Sequence, residues 1–429
     1  MAPHQSEVAR TPIKGILLAV LMVIILSGAL PIFSYFFRSL TWLIWIAIFG
    51  IIYRFSKELP LLRLISPAGP YLIWLFFYLI WALIVSPNTN LAYAFKVALT
   101  TTTLGLCMAI LTAKPVYLRT FASAVQFAVI GNVITLVLIL WSAKFAALVQ
   151  TVAPRADTFQ VGITRFGGLW GNPNMAGYIC LVATILSVLA IPWIAWLGRL
   201  SCLPLLYLAE SRKSLILYVL ILLLYLVVVQ RRNIKFWLVA LSAVFFLSMA
   251  FVLNDGLRAK AHSVSKNPAV SRLTDLSEEA TTQSGGETRL ALLQQWTTVL
   301  SAAPWYGYGL QAMAGAIHDE KNPEKVVSKG LFPLGTHNTY LGLLVEVGPV
   351  GFIGFILVML YYARLCLVTP VDPIARWVLM SFLLCNGIIL FVSQDHLFCF
   401  EGKIAFTLFF LLPSSPGLRQ MGRWRTESP

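Results

Sequence analysis

The chain has 429 residues, of which 59% are hydrophobic and only 11% are charged, and its mean hydropathy is +0.80. No soluble core needs so much apolar surface, so the composition excludes a soluble globular protein and predicts an all-α polytopic membrane protein. The net charge of +15 would suggest a nucleic-acid partner in a soluble chain. Here the basic residues cluster in short connectors between apolar runs, as they do in cytoplasmic loops, so no nucleic-acid partner is expected.

Apolar runs long enough to cross a bilayer, about 17 to 25 residues each, recur along the chain. They predict twelve transmembrane helices, at residues 13–30, 32–53, 71–87, 91–113, 116–141, 174–191, 193–210, 213–230, 234–253, 338–362, 374–394 and 397–413. The first run follows Arg10 and Lys14 as a signal peptide would. It is long and lacks a small-x-small cleavage site, so we expect a retained helix.

The distribution of basic residues predicts the orientation of these helices. With a cytoplasmic amino terminus, the connectors on that side hold Arg54, Lys57, Arg63, Lys114, Arg119, Arg199, Arg231, Arg232, Lys235, Arg364 and Arg376. On the other side, the turn at 86–90 carries no charge, and the loop at 254–336 balances eight bases with eight acids. This positive-inside pattern places the long loop outside the cytoplasm.

The predicted organisation has four parts. They are transmembrane helices one to nine at 1–253, an outer loop at 254–336, helices ten to twelve at 337–413 and a cytoplasmic tail at 414–429. The six cysteines lie in or beside apolar segments without a Cys-x-x-Cys pair. Neither a disulfide framework nor a zinc site is expected from them.

The predicted membrane orientation does not explain why some basic residues lie near helix ends on the outer face. They are Arg155 and Arg165, the pair Arg212-Lys213, and Arg289. Anionic ligands would explain them, and the alternative is contact with lipid headgroups by snorkelling side chains.

The long loop is too polar to be buried in lipid. From Leu290 to Leu300 its apolar residues recur at spacings of three and four, which predicts a helix over 287–303. Pro304 and the turn Gly307-Tyr308-Gly309 would end that helix. Arg289 lies in the first turn, where the helix dipole disfavours a base, so an anionic partner is the better explanation for it.

A glycine-rich stretch precedes the helix predicted at residue 174. Asn172-Pro173-Asn174 marks a turn and a helix start, and the glycines before it allow close approach of the backbone. A phosphate could bind at such a helix start. A tight re-entrant turn would use the same residues.

The loop re-enters an apolar helix at His337, where lipid-embedded and water-soluble parts of a substrate could meet. The alternative is that His337 and Asn338 only cap the next helix. Glu346 lies two and a half turns further on, on the opposite face, so we do not expect it to orient His337 directly. It should pair with a base or line a cavity. We expect the helix to continue through Gly348, with this glycine, Gly351 and Gly354 serving close packing.

Four stretches of the sequence, taken together, resemble the motifs of a known protein family. They are Arg165-x-Gly167 with Gly171-Asn172-Pro173-Asn174, then Glu210-Ser211-Arg212, then Arg289 with Pro304-x-x-Gly307-x-Gly309, and His337-Asn338-x-Tyr340-Leu341 with Glu346-x-Gly348. Their order, and their placement on one membrane face around a single loop, resemble the family of O-antigen ligases, related Wzy-type polymerases and protein O-oligosaccharyltransferases. One departure is Lys213, where members often have a small residue.

The resemblance implies a GT-C-like fold with one large, partly helical periplasmic loop between the ninth and tenth predicted helices. It implies a glycosyltransferase of the bacterial inner membrane that moves a glycan from undecaprenyl diphosphate to an acceptor hydroxyl. The implied catalytic residues are His337, Arg289 and Arg212, and the implied substrate-binding residues are Arg165, Asn172, Asn174, Lys213, Asn338 and Tyr340. The arginines would stabilise the leaving diphosphate.

His337, whose imidazole titrates near neutral pH, would take the acceptor proton as a general base. As an imidazolium it could instead bind the diphosphate. The chain has no Asp-x-Asp, so we expect neither a metal nor another cofactor, and direct attack would invert the anomeric carbon.

Three other functions use similar features. An O-antigen polymerase or a pilin O-oligosaccharyltransferase would use the same donor, but twelve helices with one late loop favour a ligase acting on lipid A-core in lipopolysaccharide biosynthesis. A non-enzymatic transporter of lipid-linked sugar would carry charges along a path across the bilayer, whereas the unexplained bases lie on one face.

Overall fold

The computed structural model describes residues 13–26, 38–85, 91–142, 144, 173–209, 212–230, 304–309, 338–392 and 400–420. Every regular element in these ranges is helical. The α-helices are α1 (Ile13–Leu26), α2 (Arg38–Ser56), α3 (Leu61–Ile65), α4 (Gly69–Val85), α5 (Leu91–Ala113), α6 (Pro115–Trp141), α7 (Pro173–Ser187), α8 (Pro192–Ala209), α9 (Arg212–Val229), α10 (Thr339–Val368), α11 (Pro373–Val392) and α12 (Phe400–Leu411). Single 3₁₀ turns lie at Ser66–Ala68 and Leu412–Ser414.

Several of these helices are suited to cross a membrane. Five helical stretches are long and apolar enough: Leu61–Val85, Ala94–Ala113, Pro115–Ile139, Thr339–Val368 and Pro373–Leu390. Shorter apolar helices accompany them. The chain is therefore a helical multi-pass membrane protein, as its composition predicts.

Apart from α3, each helix overlaps one of the predicted apolar runs. The bounds differ in places within the described residues, since α10 ends at Val368 rather than at residue 362. The predicted helix at 234–253 and most of the loop at 254–336 lie outside the described residues. The count of twelve spans and the division of the chain at those points therefore stay predictions.

Contacts between chain-distant residues gather the connectors predicted to be cytoplasmic at one end of the bundle. Lys14 at the start of α1 pairs with Glu58 after α2. Phe55 packs edge-on against Tyr117 at the start of α6, with ring centroids 5.8 Å apart. Ser415 Oγ, in the predicted tail, donates to the Thr112 carbonyl at the end of α5 (2.7 Å). The opposite ends of these helices therefore lie together at the other end of the bundle, which we call the outer end.

Aromatic side chains hold α4 against α10 and α12. Tyr71 and Tyr362 each lie against Phe410, with ring centroids 4.3 and 4.4 Å apart, and Trp74 lies 4.7 Å from Phe355. Buried rings of this size contribute a large apolar area and a defined geometry. The pairing of α4 with α10 that results carries the candidate site.

Candidate active site

Helix α10 is interrupted in its outer half. Gly348 has φ 66° and ψ −176°, and the next residue, Pro349, has no backbone N–H. The expectation of a continuous helix with Gly348 as a packing glycine is wrong, because this left-handed conformation ends one helical segment before Pro349 starts the next. Gly354 does serve close packing, since a Cβ there would lie 3.2 Å from Trp74 of α4.

Residues Pro304–Gly309, which we call the docking turn, lie against this break. The Gly307 N–H closes the turn by donating to the Pro304 carbonyl (2.9 Å). The next two N–H groups, of Tyr308 and Gly309, donate to the carbonyls of Val345 (2.9 Å) and Glu346 (2.8 Å) in α10. The docking turn therefore supplies donors where the helix is broken.

Two glycines are required for this approach. Gly307 has φ 81°, and a Cβ there would lie 2.5 Å from the Glu346 carbonyl oxygen. A Cβ on Gly348 would collide with the Trp305 carbonyl oxygen. The sequence stretches Pro304-x-x-Gly307-x-Gly309 and Glu346-x-Gly348, which are far apart in the chain, thus meet in the structure.

Helix α4 contacts both the docking turn and the broken helix α10. The Tyr78 phenol donates to Glu346 Oε2, and Trp81 Nε1 donates to the Tyr306 carbonyl (2.9 Å). Trp74 Nε1 donates to the Gly351 carbonyl (2.9 Å), beyond the break. Positions 74, 78 and 81 lie on one face of the helix. Sequence reasoning missed these residues, because an aromatic stripe at helical spacing is equally typical of a plain core.

Glu346 was expected to pair with a base or to line a cavity. Among the described residues, the fully buried Tyr78 phenol donates to it, and its pairing with a base stays a prediction. A phenol donating to a carboxylate is a charge-assisted hydrogen bond, and it offsets part of the cost of placing a carboxylate inside the bundle.

Asn338 and Tyr340 fix the first turn of α10. Asn338 Oδ1 accepts from the Leu341 N–H (3.1 Å), so this residue is the N-cap of the helix. The Tyr340 hydroxyl donates to the Gly387 carbonyl of α11 (3.4 Å), and its ring lies edge-on to Phe352 at 6.4 Å. The capping role considered for Asn338 is therefore confirmed, and His337 directly precedes this cap.

Other predicted site residues lie at the starts of helices that pack around α11. Arg212 and Lys213 are the first two residues of α9, and Asn174 is the second residue of α7. Tyr178 of α7 donates to Asn386 Oδ1 of α11 (3.0 Å). Trp377, near the start of α11, donates to the Ile221 carbonyl of α9 (2.9 Å). Helices α7, α9 and α10 therefore all begin at the outer end, where α11 finishes.

The remaining predicted site residues, Arg165, Asn172, Arg289 and His337, lie outside the described residues. Whether they meet Arg212 in space stays a prediction. Within the described ranges, no group of three or more His, Cys, Asp or Glu side chains is arranged to hold a metal ion.

The fold and the outer-end site define a helical multi-pass membrane protein built around a loop docked on a broken helix. Residues 197–356, from α8 through the break in α10, match the family model described as O-antigen ligase. This match confirms, over these residues, the resemblance to the O-antigen ligase family that the motifs carry. A match to this family indicates a glycosyl-transferring membrane enzyme of polysaccharide assembly. No curated protein matches the chain.

Proposed function

We propose that the protein is an O-antigen ligase. It transfers O-antigen polysaccharide from undecaprenyl diphosphate to a sugar hydroxyl of lipid A-core at the periplasmic face of the inner membrane. The observation that carries the proposal is the docking turn on α10, because it joins the end of the loop segment that contains Arg289 to the helix that follows His337.

The distances along the chain favour one shared site. Tyr308 docks at Val345, about 10 Å along α10 from its Asn338 cap, given a rise of about 1.5 Å per residue. Pro304, the first residue of the docking turn, follows directly on the helix predicted over 287–303. The bonds of the docking turn to α10 therefore hold the chain that directly follows the predicted helix against the first part of α10, which supports one shared site.

The chemistry requires stabilisation of a leaving group and removal of a proton. When the glycan leaves undecaprenyl diphosphate, negative charge grows on the diphosphate, and Arg212 and Arg289 stabilise it. Arg165 and Lys213 are further bases that bind the donor. His337 takes the proton from the acceptor hydroxyl as a general base. The arginines serve where other enzymes use a metal, and the direct attack inverts the anomeric carbon.

The arrangement of the helices supports binding of the donor at the outer end. The starts of α7 and α9, which carry Asn174 and Arg212, lie on the same end of the bundle as the Asn338 cap. The positive ends of helix dipoles there favour an anion such as a diphosphate. Membrane tethering of the donor then supplies proximity to the acceptor.

The test is glycan transfer by purified protein from undecaprenyl diphosphate-linked polysaccharide to lipid A-core, with EDTA present throughout. We expect the wild type to transfer, and His337→Ala and Arg289→Ala to bind donor without transferring it. Matched controls are His318→Ala and Arg364→Ala, an exposed arginine at the cytoplasmic end of α10, and both should retain activity.

Other outcomes would overturn parts of the proposal. Normal transfer by His337→Ala would leave the histidine as a helix cap and end its role as a base. Extension of the carrier-bound glycan by the wild type would make the protein a polymerase, and transfer to pilin instead of lipid A-core would make it an O-oligosaccharyltransferase. Loss of transfer on EDTA treatment, restored by added divalent cation, would contradict the metal-free mechanism.

A further inference from the structure

The break at Gly348 divides α10 into two helical segments, residues 339–347 and 349–368. The hydrogen-bond ladder of a continuous helix does not pass through the break, so it does not set the angle between the segments. That angle depends on contacts from other parts of the chain. The first segment begins directly after its Asn338 cap, so the same contacts set the position of this cap, which His337 directly precedes in the chain.

Helix α4 contacts α10 on both sides of the break. On the first segment, the Tyr78 phenol donates to the Glu346 carboxylate. On the second, Trp74 Nε1 donates to the Gly351 carbonyl (2.9 Å). The two rings are stacked, with centroids 5.5 Å apart and planes inclined by 26°. A single rigid aromatic pair therefore connects the segments.

The Tyr78 contact is well suited to fix an angle. Tyr78 is fully buried, so its ring has little freedom, and Glu346 lies two residues before the break. A hydrogen bond to an ionised acceptor is about twice as strong as a neutral one, and low local polarity strengthens it further.

We propose that Tyr78 is a positioning residue for His337 and acts through Glu346. This inference rests on the proposed function of His337. Glu346 lies too far along the helix to touch His337 directly. In this proposal it acts instead by orienting the whole first segment of α10. The distance from the break to the cap is about 15 Å, so a rotation of about 10° at Gly348 would move the start of the helix by about 2.6 Å. A misplacement of about 1 Å can lower a rate about 100-fold.

The test compares Tyr78→Phe with Tyr362→Phe. Both keep the ring and remove one buried hydroxyl, but Tyr362 donates to the Pro67 carbonyl at the cytoplasmic end (2.5 Å). We expect Tyr78→Phe to lower kcat about 10- to 100-fold with the KM for the lipid-linked donor unchanged. Tyr362→Phe should keep the wild-type kcat. Glu346→Gln, which retains an acceptor oxygen, should lose less kcat than Glu346→Ala.

A second measurement does not depend on activity. Spin labels at Gly342→Cys and Leu360→Cys, one on each segment, report the angle at the break through their separation. A Cys399→Ser background is suitable, since the other five cysteines are buried. We expect Tyr78→Phe to shift or broaden this distance distribution and Tyr362→Phe to leave it unchanged.

The two measurements separate the possible failures. An unchanged distance distribution in Tyr78→Phe, or equal loss of kcat in the two Phe variants, would overturn the positioning role. If the wild type transfers no glycan to lipid A-core while the distance shifts in Tyr78→Phe, the proposed function fails and the control of the α10 angle by Tyr78 stands.

Discussion

The backbone N–H of Tyr308 donates to the carbonyl of Val345 across 2.9 Å. In a continuous helix that carbonyl would accept from residue 349, which is Pro349 and has no N–H to give. An unpaired backbone carbonyl inside a membrane protein costs several kcal/mol. The docking turn therefore supplies N–H donors that the broken helix lacks, and the carbonyls at the break hold the docking turn in place.

The first prediction concerns Gly348→Ala. The backbone at Gly348 has φ 66° and ψ −176°, a region that is essentially restricted to glycine and costs an L-residue about 1–3 kcal/mol, and the added Cβ would collide with the Trp305 carbonyl. We expect a lower unfolding temperature and loss of glycan transfer, because the docking turn must leave α10. Thermal unfolding in detergent and the transfer assay measure the two effects.

Gly131→Ala is the matched control for this substitution. Gly131 lies inside α6, and a Cβ there would meet no atom within 4 Å. Alanine is the better helix former by about 0.5–1 kcal/mol, so this variant should be as stable as the wild type or slightly more so. Equal stability and activity of the two variants would show that Gly348 needs no left-handed conformation.

The second prediction concerns Asn338. Its side chain caps α10, so Asn338→Ala should destabilise the protein by about 1 kcal/mol. Asn338→Ser keeps an oxygen at the cap, and we expect it to retain the wild-type stability and rate. Urea or thermal unfolding and steady-state kinetics give both quantities. A raised KM for the donor in the serine variant, at unchanged stability, would assign Asn338 the substrate contact that the family resemblance implies.

The helices could be predicted from the sequence, but the junction that organises the site could not be predicted in full. Apolar runs are a local signal, and the membrane sets their length, so the runs and the observed helices overlap along the chain. Gly348-Pro349 is typical of a helix break, but the glycine was interpreted as a packing residue of a continuous helix. The segments that pack against this part of α10 could not be predicted from the sequence. The hydrogen bonds from Trp74 to Gly351 and from Trp81 to Tyr306 join residues that are 277 and 225 positions apart in the chain.

Lys403 is a second feature that local patterns did not reveal. It lies in the apolar run at 397–413, whose pattern predicts only a membrane-spanning helix. In the described part of the chain it is the one charged side chain classed as buried, with 4% of its surface exposed. Its Nζ donates to Thr100 Oγ1 of α5 (2.6 Å). Packing of α12 against α5 contributes to this environment, so the sequence of either helix alone gives no sign of it.

The third prediction follows from this contact. Thr100→Val keeps the shape of the side chain but removes an acceptor from a buried ammonium, which should destabilise the protein by about 1–3 kcal/mol. Thr184→Val is the control, since Thr184 is also buried and its hydroxyl only bonds back to the Cys180 carbonyl in its own helix (2.8 Å). Denaturant unfolding should give a clearly larger loss for Thr100→Val. Equal losses would mean that the Lys403 contact adds nothing to stability.

The fourth prediction concerns pH and the end of the bundle that is predicted to be cytoplasmic. The hydrogen bond from Lys14, assisted by the charge of Arg54 at 3.7 Å, lowers the pKa of Glu58 below its ordinary 4.5. A depressed pKa in the folded state stabilises the protein above pH 4.5, and the contribution disappears as the pH falls through the folded-state value. Glu58→Gln should therefore lower the unfolding temperature at pH 7, modestly because the pair is solvent-exposed, and the difference from wild type should vanish in acid.

The control for this titration is Lys57→Gln. Lys57 lies over the Tyr53 ring, with its Nζ 4.5 Å from the ring centroid, and it neighbours Glu58 in the chain without being among the groups that shift its pKa. Its effect on the unfolding temperature should be the same at pH 7 and below pH 4.5. If Glu58→Gln also shows a constant difference across that range, the carboxylate is not held by Lys14 in the folded protein, and the link between α1 and α2 at this end depends on apolar packing alone.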